Sequence, residues 1–188
     1  KSFGGAHALR DANLDLYPGQ VTALIGENGA GKSTVVKILC GIHQPDGGEL
    51  MLDGRPIRVR DPEHARQLGI NVVHQECVVF DNLTVAENIF VSNRPKSGRF
   101  IAWREMRTRA AEILRQLDVS FSPDMPAGQL SVAQKHIVQI ARALTSEARV
   151  LILDEPTAAL SHREADDLFP IARRLRDAGW ALLFITHK

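Results

Sequence analysis

Gly26-Glu27-Asn28-Gly29-Ala30-Gly31-Lys32-Ser33-Thr34 places three glycines, a lysine and two hydroxyls at the spacing of a phosphate-gripping turn. The apolar run Val21-Thr22-Ala23-Leu24-Ile25 before it reads as a buried strand. Val35-Val36-Lys37-Ile38-Leu39 after it reads as a helix with an inward core face. Strand, glycine-rich turn and helix together make the pattern G-x-x-x-x-G-K-[ST]. Gly26, Gly29 and Gly31 admit backbone angles closed to residues with a Cβ, so successive N–H groups, those of Glu27, Asn28 and Ala30 included, can converge on phosphate oxygens. The helix N-terminus adds its partial positive charge. Lys32 is expected to reach the β- and γ-phosphates, the Ser33 hydroxyl to ligate Mg²⁺, and Thr34 to start the helix. A plain glycine turn is the bland alternative, but its neighbours would not then need to be a strand and a helix.

A second group with chemical potential lies at the end of another apolar run. Val150-Leu151-Ile152-Leu153 reads as a fully buried strand that delivers Asp154 and Glu155 at its carboxyl end. Open α/β sheets place their ligand chemistry there. Asp154 is expected to hold Mg²⁺, directly or through water, and Glu155 to activate the water that attacks the γ-phosphate.

The elements that must position these groups follow from composition and periodicity. At 188 residues the chain is long enough for one domain with a sizeable core. Its net charge of +1 supplies no bulk attraction to nucleic acid or anionic lipid. Cys40 and Cys77 stand in no paired-ligand spacing and read as packing residues, and the histidines lack metal-ligand spacing. The longest apolar runs are too short to span a bilayer. Both ends look cut, so a fragment of a longer protein is expected.

Residues 1–25 alternate polar and apolar positions (Ala12, Leu14, Leu16) about Pro18-Gly19, as a half-exposed hairpin would. Glu49-Leu50-Met51-Leu52 reads as a short strand turning at Asp53-Gly54. Asp61-Pro62 reads as the start of a short helix through Leu68, and Ile70–Val73 as a core strand running into His74-Gln75-Glu76. His74 reads as a loop histidine. From about Phe80 the texture is helical. Thr84-Val85-Ala86-Glu87 and Ser131-Val132-Ala133-Gln134 have capping-box spacing. Trp103, Met106, Ala110, Ile113, Leu114 and Leu117 recur at helical spacing, with Trp103 read as core and Arg104, Arg107, Arg109 and Arg115 as a solvated face. Arg142 and Arg173, Arg174 and Arg176 are likewise read as solvated. A helix from about Glu164 to Ala178, disturbed at Pro170, precedes a last buried strand from Trp180 to Ile185. Strands alternating with helices predict an α/β fold of the P-loop NTPase type with a mostly parallel core sheet. The expected division is a core over about 1–79 and 145–188, with an amino-terminal antiparallel β subdomain and a helical subdomain inserted over about 80–144.

In this order the motifs resemble those of an ATP-binding cassette (ABC) transporter nucleotide-binding domain, across essentially the whole chain. The resemblance implies ATP and Mg²⁺ as ligands. It implies that Phe3 stacks on adenine and that Gly26 to Thr34 holds the phosphates. Gln75 would sense Mg²⁺ and the attacking water and link to membrane subunits. Leu130 to Gln134 matches the signature segment, so Ser131, Ala133 and Gln134 would meet the ATP of another cassette. Asp154 and Glu155 match the magnesium aspartate and the catalytic glutamate, and His187 the histidine that contacts the γ-phosphate. A serine at a helix N-terminus, with free N–H groups and a positive dipole end, suits that half-site role.

Two positions depart from the usual pattern. Val132-Ala133 replaces Gly-Gly after the serine, which would put a methyl where backbone might approach phosphate, and Ser161 replaces an aspartate. Both departures resemble the amino-terminal cassette of monosaccharide importers whose ATPase is two fused cassettes. The resemblance thus implies an importer motor for a sugar or polyol. Its partners would be a second cassette, transmembrane permease subunits and, indirectly, a solute-binding protein, with no nucleic acid. It would sit peripherally at the cytoplasmic face of the plasma membrane. Two other readings stay open on motifs alone. A soluble relative acting on DNA is disfavoured by the absence of sustained heptads between Ser33 and Ser131, and one acting on ribosomes matches the signature and the Gln75 region less well. A nucleotide kinase leaves Ser131 to Gln134 and His187 without roles.

Overall fold

The computed structural model describes residues 1–74, 78–146, 149–158 and 160–187, with the backbone alone at 162 and 163. Gln75, Cys77 and Ala159 lie outside the described residues. In chain order the elements are β1 (Ser2–Phe3), β2 (Ala6–His7), β3 (Val21–Ile25), α1 (Lys32–Leu39), β4 (Leu50–Leu52), β5 (Arg55–Ile57), α2 (Pro62–Gln67) and β6 (Ile70–Val73). There follow α3 (Val85–Ile89), β7 (Lys96–Ser97), β8 (Phe100–Ile101), α4 (Trp103–Leu117), a 3₁₀ turn (Ala127–Gln129), α5 (Val132–Ala143), β9 (Val150–Asp154), α6 (His162–Asp177) and β10 (Ala181–Thr186).

The expected parallel sheet has the order β3-β10-β9-β6, every pair parallel. The two most continuously apolar runs, β9 and β10, take the centre, where both faces are covered. Alternation along β9 then serves two layers. Leu151 and Leu153 join a core with α3, α4, α5 and α6, whereas Ile152 joins Val36, Cys40, Val59, Ala65, Ile70, Leu183 and Ile185 beneath α1 and α2. By contrast β3 is an edge strand, with Val21, Ala23 and Ile25 exposed and Thr22 and Leu24 half-buried. The fully buried reading of Val21–Ile25 is therefore corrected. An apolar run does not reveal its place in a sheet.

Antiparallel pairing occurs in three small hairpins. At the amino end it joins Ser2 to His7 and Phe3 to Ala6 across Gly4-Gly5. The chain does turn at Pro18-Gly19, but among the described residues no ladder joins the segments on either side. Alternation at Ala12, Leu14 and Leu16 had suggested one; without a paired partner it makes no strand.

The helix starts follow local chemistry closely. Thr84 caps α3 and Ser131 caps α5, each with a complete capping box. Asp61 accepts from the His64 N–H ahead of α2, with Pro62 at its first position. Ser161 and Glu164 form a third box, which starts α6 at His162, two residues before the expected start. Along α4 the stripe Met106, Ala110, Leu114 and Leu117 is buried, but Trp103 is 51% exposed. It opens the helix one turn ahead of the core, which corrects its assignment as a core residue.

Two arginines read as solvated act instead as clamps. Arg142 donates from Nε to the Asn88 carbonyl and from Nη2 to that of Val78. Asn88, fully buried, bonds the backbone of Phe80 at both its N–H and its carbonyl. Together they tie residues 78–88 to α5. Arg174 donates to the Leu117 carbonyl and so fastens α6 to the end of α4.

Candidate nucleotide site

Parallel register builds the site. Ile25 stands beside Thr186, and Asp154 beside Ile185, so the turns after β3, β9 and β10 leave the same edge of the sheet together. Those turns carry the phosphate loop, Glu155 and His187. The sheet thus brings together three of the sequence motifs, separated by up to 160 residues of chain.

The loop departs from β3 at Gly26 and enters α1 at Lys32 rather than Thr34. Gly29 has φ +86° and Gly31 φ +90°, conformations that disfavour any side chain. Gly31 has a second constraint. A Cβ there would fall 2.5 Å from the Ala8 carbonyl oxygen and 2.7 Å from a Leu9 methyl. Gly26, in contrast, is not left-handed, and its Cβ would meet Ala30 at 3.2 Å. Its glycine answers a close approach and not a backbone angle, which corrects that part of the sequence reading. Gly31 is the N-cap of α1 and offers no side-chain cap. Glu27, Asn28 and Ala30 are exposed, as is Ser33, while Thr34 is half-buried. The Lys32 ammonium, 9% exposed, donates to the Gly26 carbonyl at 2.5 Å and the Glu27 carbonyl at 2.9 Å.

Asp154 ends β9 half-buried. Burial raises its carboxyl above the usual range, opposed by the nearby His74 and Lys32 and reinforced by Glu155. Cys40 lies close beneath, its thiol pushed up to about 12 by burial and by the Asp154 charge. His74 is the neighbour of Asp154 that sequence reasoning passed over as a loop residue. The one available signal was its position directly after a strand.

Glu155 takes φ +47°, unusual for a residue with a side chain, and its N–H donates to the Ile185 carbonyl at 3.0 Å. Its carboxylate meets His187 Nδ1 at 3.0 Å. Beside this pair opens a cavity of about 260 Å³ lined by Thr157, Leu160, Phe169 and Thr186 among others. No residue of the phosphate loop lines it.

Phe3 is 43% exposed and packs edge-on against His43, centroids 5.0 Å apart, with the Lys1 ammonium 5.3 Å from its ring. Lys1 is itself held by Asp46 at 2.6 Å. At the start of α5, Ser131 Oγ accepts from the Gln134 N–H while Gln134 Oε1 accepts from the Ser131 N–H. Ala133 is buried and Val132 is 44% exposed. The Ala133 methyl therefore turns into the core, away from where it was expected. Among the described residues no hydrogen bond or ion pair joins this turn to the phosphate loop.

The donors fit Mg²⁺. Ser33 and Asp154 supply hard oxygens, and this ion usually takes one or two protein ligands, filling its shell with water and phosphate oxygens.

Comparison with known proteins agrees with this geometry. Residues 9–158 match the ABC transporter family. The chain is 52% identical over 99% of its length to the ribose import ATP-binding protein RbsA 3 of Rhizobium etli. It is also 52% identical over its whole length to ribose import ATP-binding protein RbsA of Jannaschia sp.. It spans 37% of the length of each of these relatives. Among solved structures, it superposes on the ADP conformation of an ATP-binding cassette of an ABC transporter with TM-score 0.88 and 31% identity, over all of this chain and 78% of that one. It superposes on cbiO1 of Clostridium perfringens, part of the ABC transporter complex cbiONQ, with TM-score 0.84 and 30% identity, over all of this chain and 75% of that one. A family match over most of its residues and a shared fold with whole cassettes establish that the chain belongs to the ABC transporter family, with the P-loop NTPase fold.

Proposed function

We propose that the chain binds and hydrolyses ATP as part of the motor of a membrane importer for a sugar or polyol. The observation that carries this is the common sheet edge from which the loop at Lys32, the carboxylates of Asp154 and Glu155, and His187 emerge. Lys32 would leave the carbonyls of Gly26 and Glu27 for the β- and γ-phosphates. Backbone N–H groups from Glu27 to Thr34 would cradle the same oxygens, and Phe3 would stack on adenine. Ser33 and Asp154 would hold Mg²⁺, which supplies charge neutralisation at the transferring phosphoryl group. Glu155 would accept the proton of the attacking water, with His187 orienting the carboxylate from 3.0 Å until the γ-phosphate draws the histidine over. Gln75, outside the described residues, is assigned the sensing of Mg²⁺ and the attacking water.

The signature turn has no bond to this chain's own loop, which suits a contact made in trans. Ser131, Ala133 and Gln134 would face the ATP of a second cassette, and two ATPs would be buried between a head-to-tail pair. The domain division that goes with this reading is a core of residues 1–79 and 145–188 and a helical block of residues 80–144. The sugar cargo and the second cassette rest on the ribose-import relatives, of which this chain spans 37%. Permease subunits and a peripheral place at the membrane follow from the same likeness. No described helix is long and apolar enough to cross a membrane.

The test is Glu155→Gln in the full transporter. ATP binding should persist while turnover falls about 10²- to 10⁴-fold, the usual worth of a positioned base. Unchanged turnover would remove Glu155 from the reaction. Cargo is tested separately, by uptake of labelled ribose, xylose and erythritol into vesicles carrying the assembled transporter.

A further inference from the structure

We propose that the hairpin of β7 and β8, with the first turn of α4, is a contact surface for an anionic phospholipid bilayer. Residues 94 to 104 carry Arg94, Lys96, Arg99 and Arg104 and no acid. A chain whose net charge is only +1 therefore concentrates four positive charges on one short protrusion. All four side chains are exposed, and none pairs with an acid among the described residues. The hairpin pairs Lys96 with Ile101 and Ser97 with Phe100 across Gly98-Arg99. Gly98 takes φ +62°, the first-position glycine of a tight hairpin turn, and a Cβ there would meet nothing within 4 Å. The tip thus projects into open space.

Its apolar content is what a soluble surface avoids. Phe100 is 80% exposed, the most exposed large hydrophobic side chain among those described, and Trp103 is 51% exposed. The pleat turns Ile101 toward the body, half-buried, and Phe100 away from it. Aromatic rings at headgroup depth, with cations beside them at lipid phosphates, are the combination an anionic bilayer surface holds. An acidic polypeptide offers the same charges, but peptides dock by preference in lined concavities. Here the recess beside Trp103 is shallow and mixed in sign, with Glu105 paired to Arg109 at 3.5 Å and Glu112 nearby. A projecting tip with Phe100 turned outward and Trp103 half-exposed at its base suits a soft planar surface better. This inference is independent of the nucleotide site.

The test uses the chain with vesicles of phosphatidylcholine alone or with about one third phosphatidylglycerol, read by co-sedimentation and tryptophan emission. Binding and a blue shift are expected only on anionic vesicles, with loss at about 1 M salt, where charge screening is short-ranged. Trp103→Phe should remove the shift, leaving half-buried Trp180 as the reporter of an unmoved core. Lys96→Gln and Arg99→Gln should each weaken binding about fivefold, and Phe100→Ser about tenfold. Lys32→Ala should bind vesicles as the parent does, which separates this surface from the nucleotide site. Equal association with neutral vesicles, no association with either, or full anionic binding by the hairpin variants would overturn the proposal and leave the hairpin to a polypeptide partner.

Discussion

Two helix starts in this chain treat their first-turn N–H groups in opposite ways. At α5, Ser131 and Gln134 satisfy each other's backbone and side-chain groups in a closed box. At α1, Gly31 caps nothing with a side chain; the Thr34 N–H turns back to the Gly31 carbonyl at 2.9 Å, which leaves those of Lys32 and Ser33 for another acceptor. The first arrangement is stable by itself and can be recruited. The second is incomplete without an anion. The same chain therefore carries a helix start with open donors, which suits the resident phosphate proposed for it, and another that keeps its fold with its own side chains. The resting state of Lys32, bonded to two loop carbonyls, fits the incomplete start, since its charge is held locally until a better acceptor arrives.

That contrast can be broken. Lys32→Ala should lower ATP affinity at least about 100-fold, since hydrogen bonds to a charged group are the strong ones. Calorimetry showing parental affinity would mean the α1 start is not the phosphate grip. Gly31→Ala comes next. A left-handed backbone and a collision with Ala8 and Leu9 should cost about 2–4 kcal/mol in chemical unfolding. Ser131→Ala should cost only about 1 kcal/mol in the isolated chain, the worth of a lost N-cap. In the assembled transporter it should additionally slow ATP turnover, and a loss of stability alone would reduce Ser131 to a structural cap.

The smallest effect concerns Asp154. Its carboxyl is raised by burial, so the folded state favours the protonated form. The contribution of Asp154 to stability should accordingly be fully present below the ordinary carboxyl range and be lost as pH rises through the elevated value. Asp154→Asn should flatten that decline and raise the melting temperature of the nucleotide-free chain at neutral pH, while weakening Mg²⁺-dependent binding. A melting temperature lowered at neutral pH would show that the charge is better compensated than its burial implies.

How far the sequence reveals such things depends on the range of the interaction. The boxes at Thr84 and Ser131 are written within four residues, and both helices begin where those residues say. Ser161-x-x-Glu164 carried the same signal, and its neglect delayed α6 by a turn's fraction. The phosphate loop is equally local, so its position and its left-handed glycines at 29 and 31 were legible. What failed was non-local. Nothing within Val21–Ile25 says that it is an edge, and alternation at Ala12 to Leu16 cannot show that no neighbour pairs with it. Arg142 and Arg174 resemble solvated arginines until the carbonyls of Asn88, Val78 and Leu117 arrive from 54 to 64 residues away. The cramped wall that Ala8 and Leu9 form against Gly31 belongs to the same class.

The left-handed turn at Glu155 has a further consequence. Because the main chain itself bends there, pinned by the Ile185 carbonyl, the peptide path sets where the side chain departs, and the His187 contact at 3.0 Å holds its carboxylate. A side chain of equal length installed at that point would keep the same bearing. Aim and reactivity would thereby be separable at one residue: under the role proposed for Glu155, an amide in its place would stall turnover while keeping its bearing.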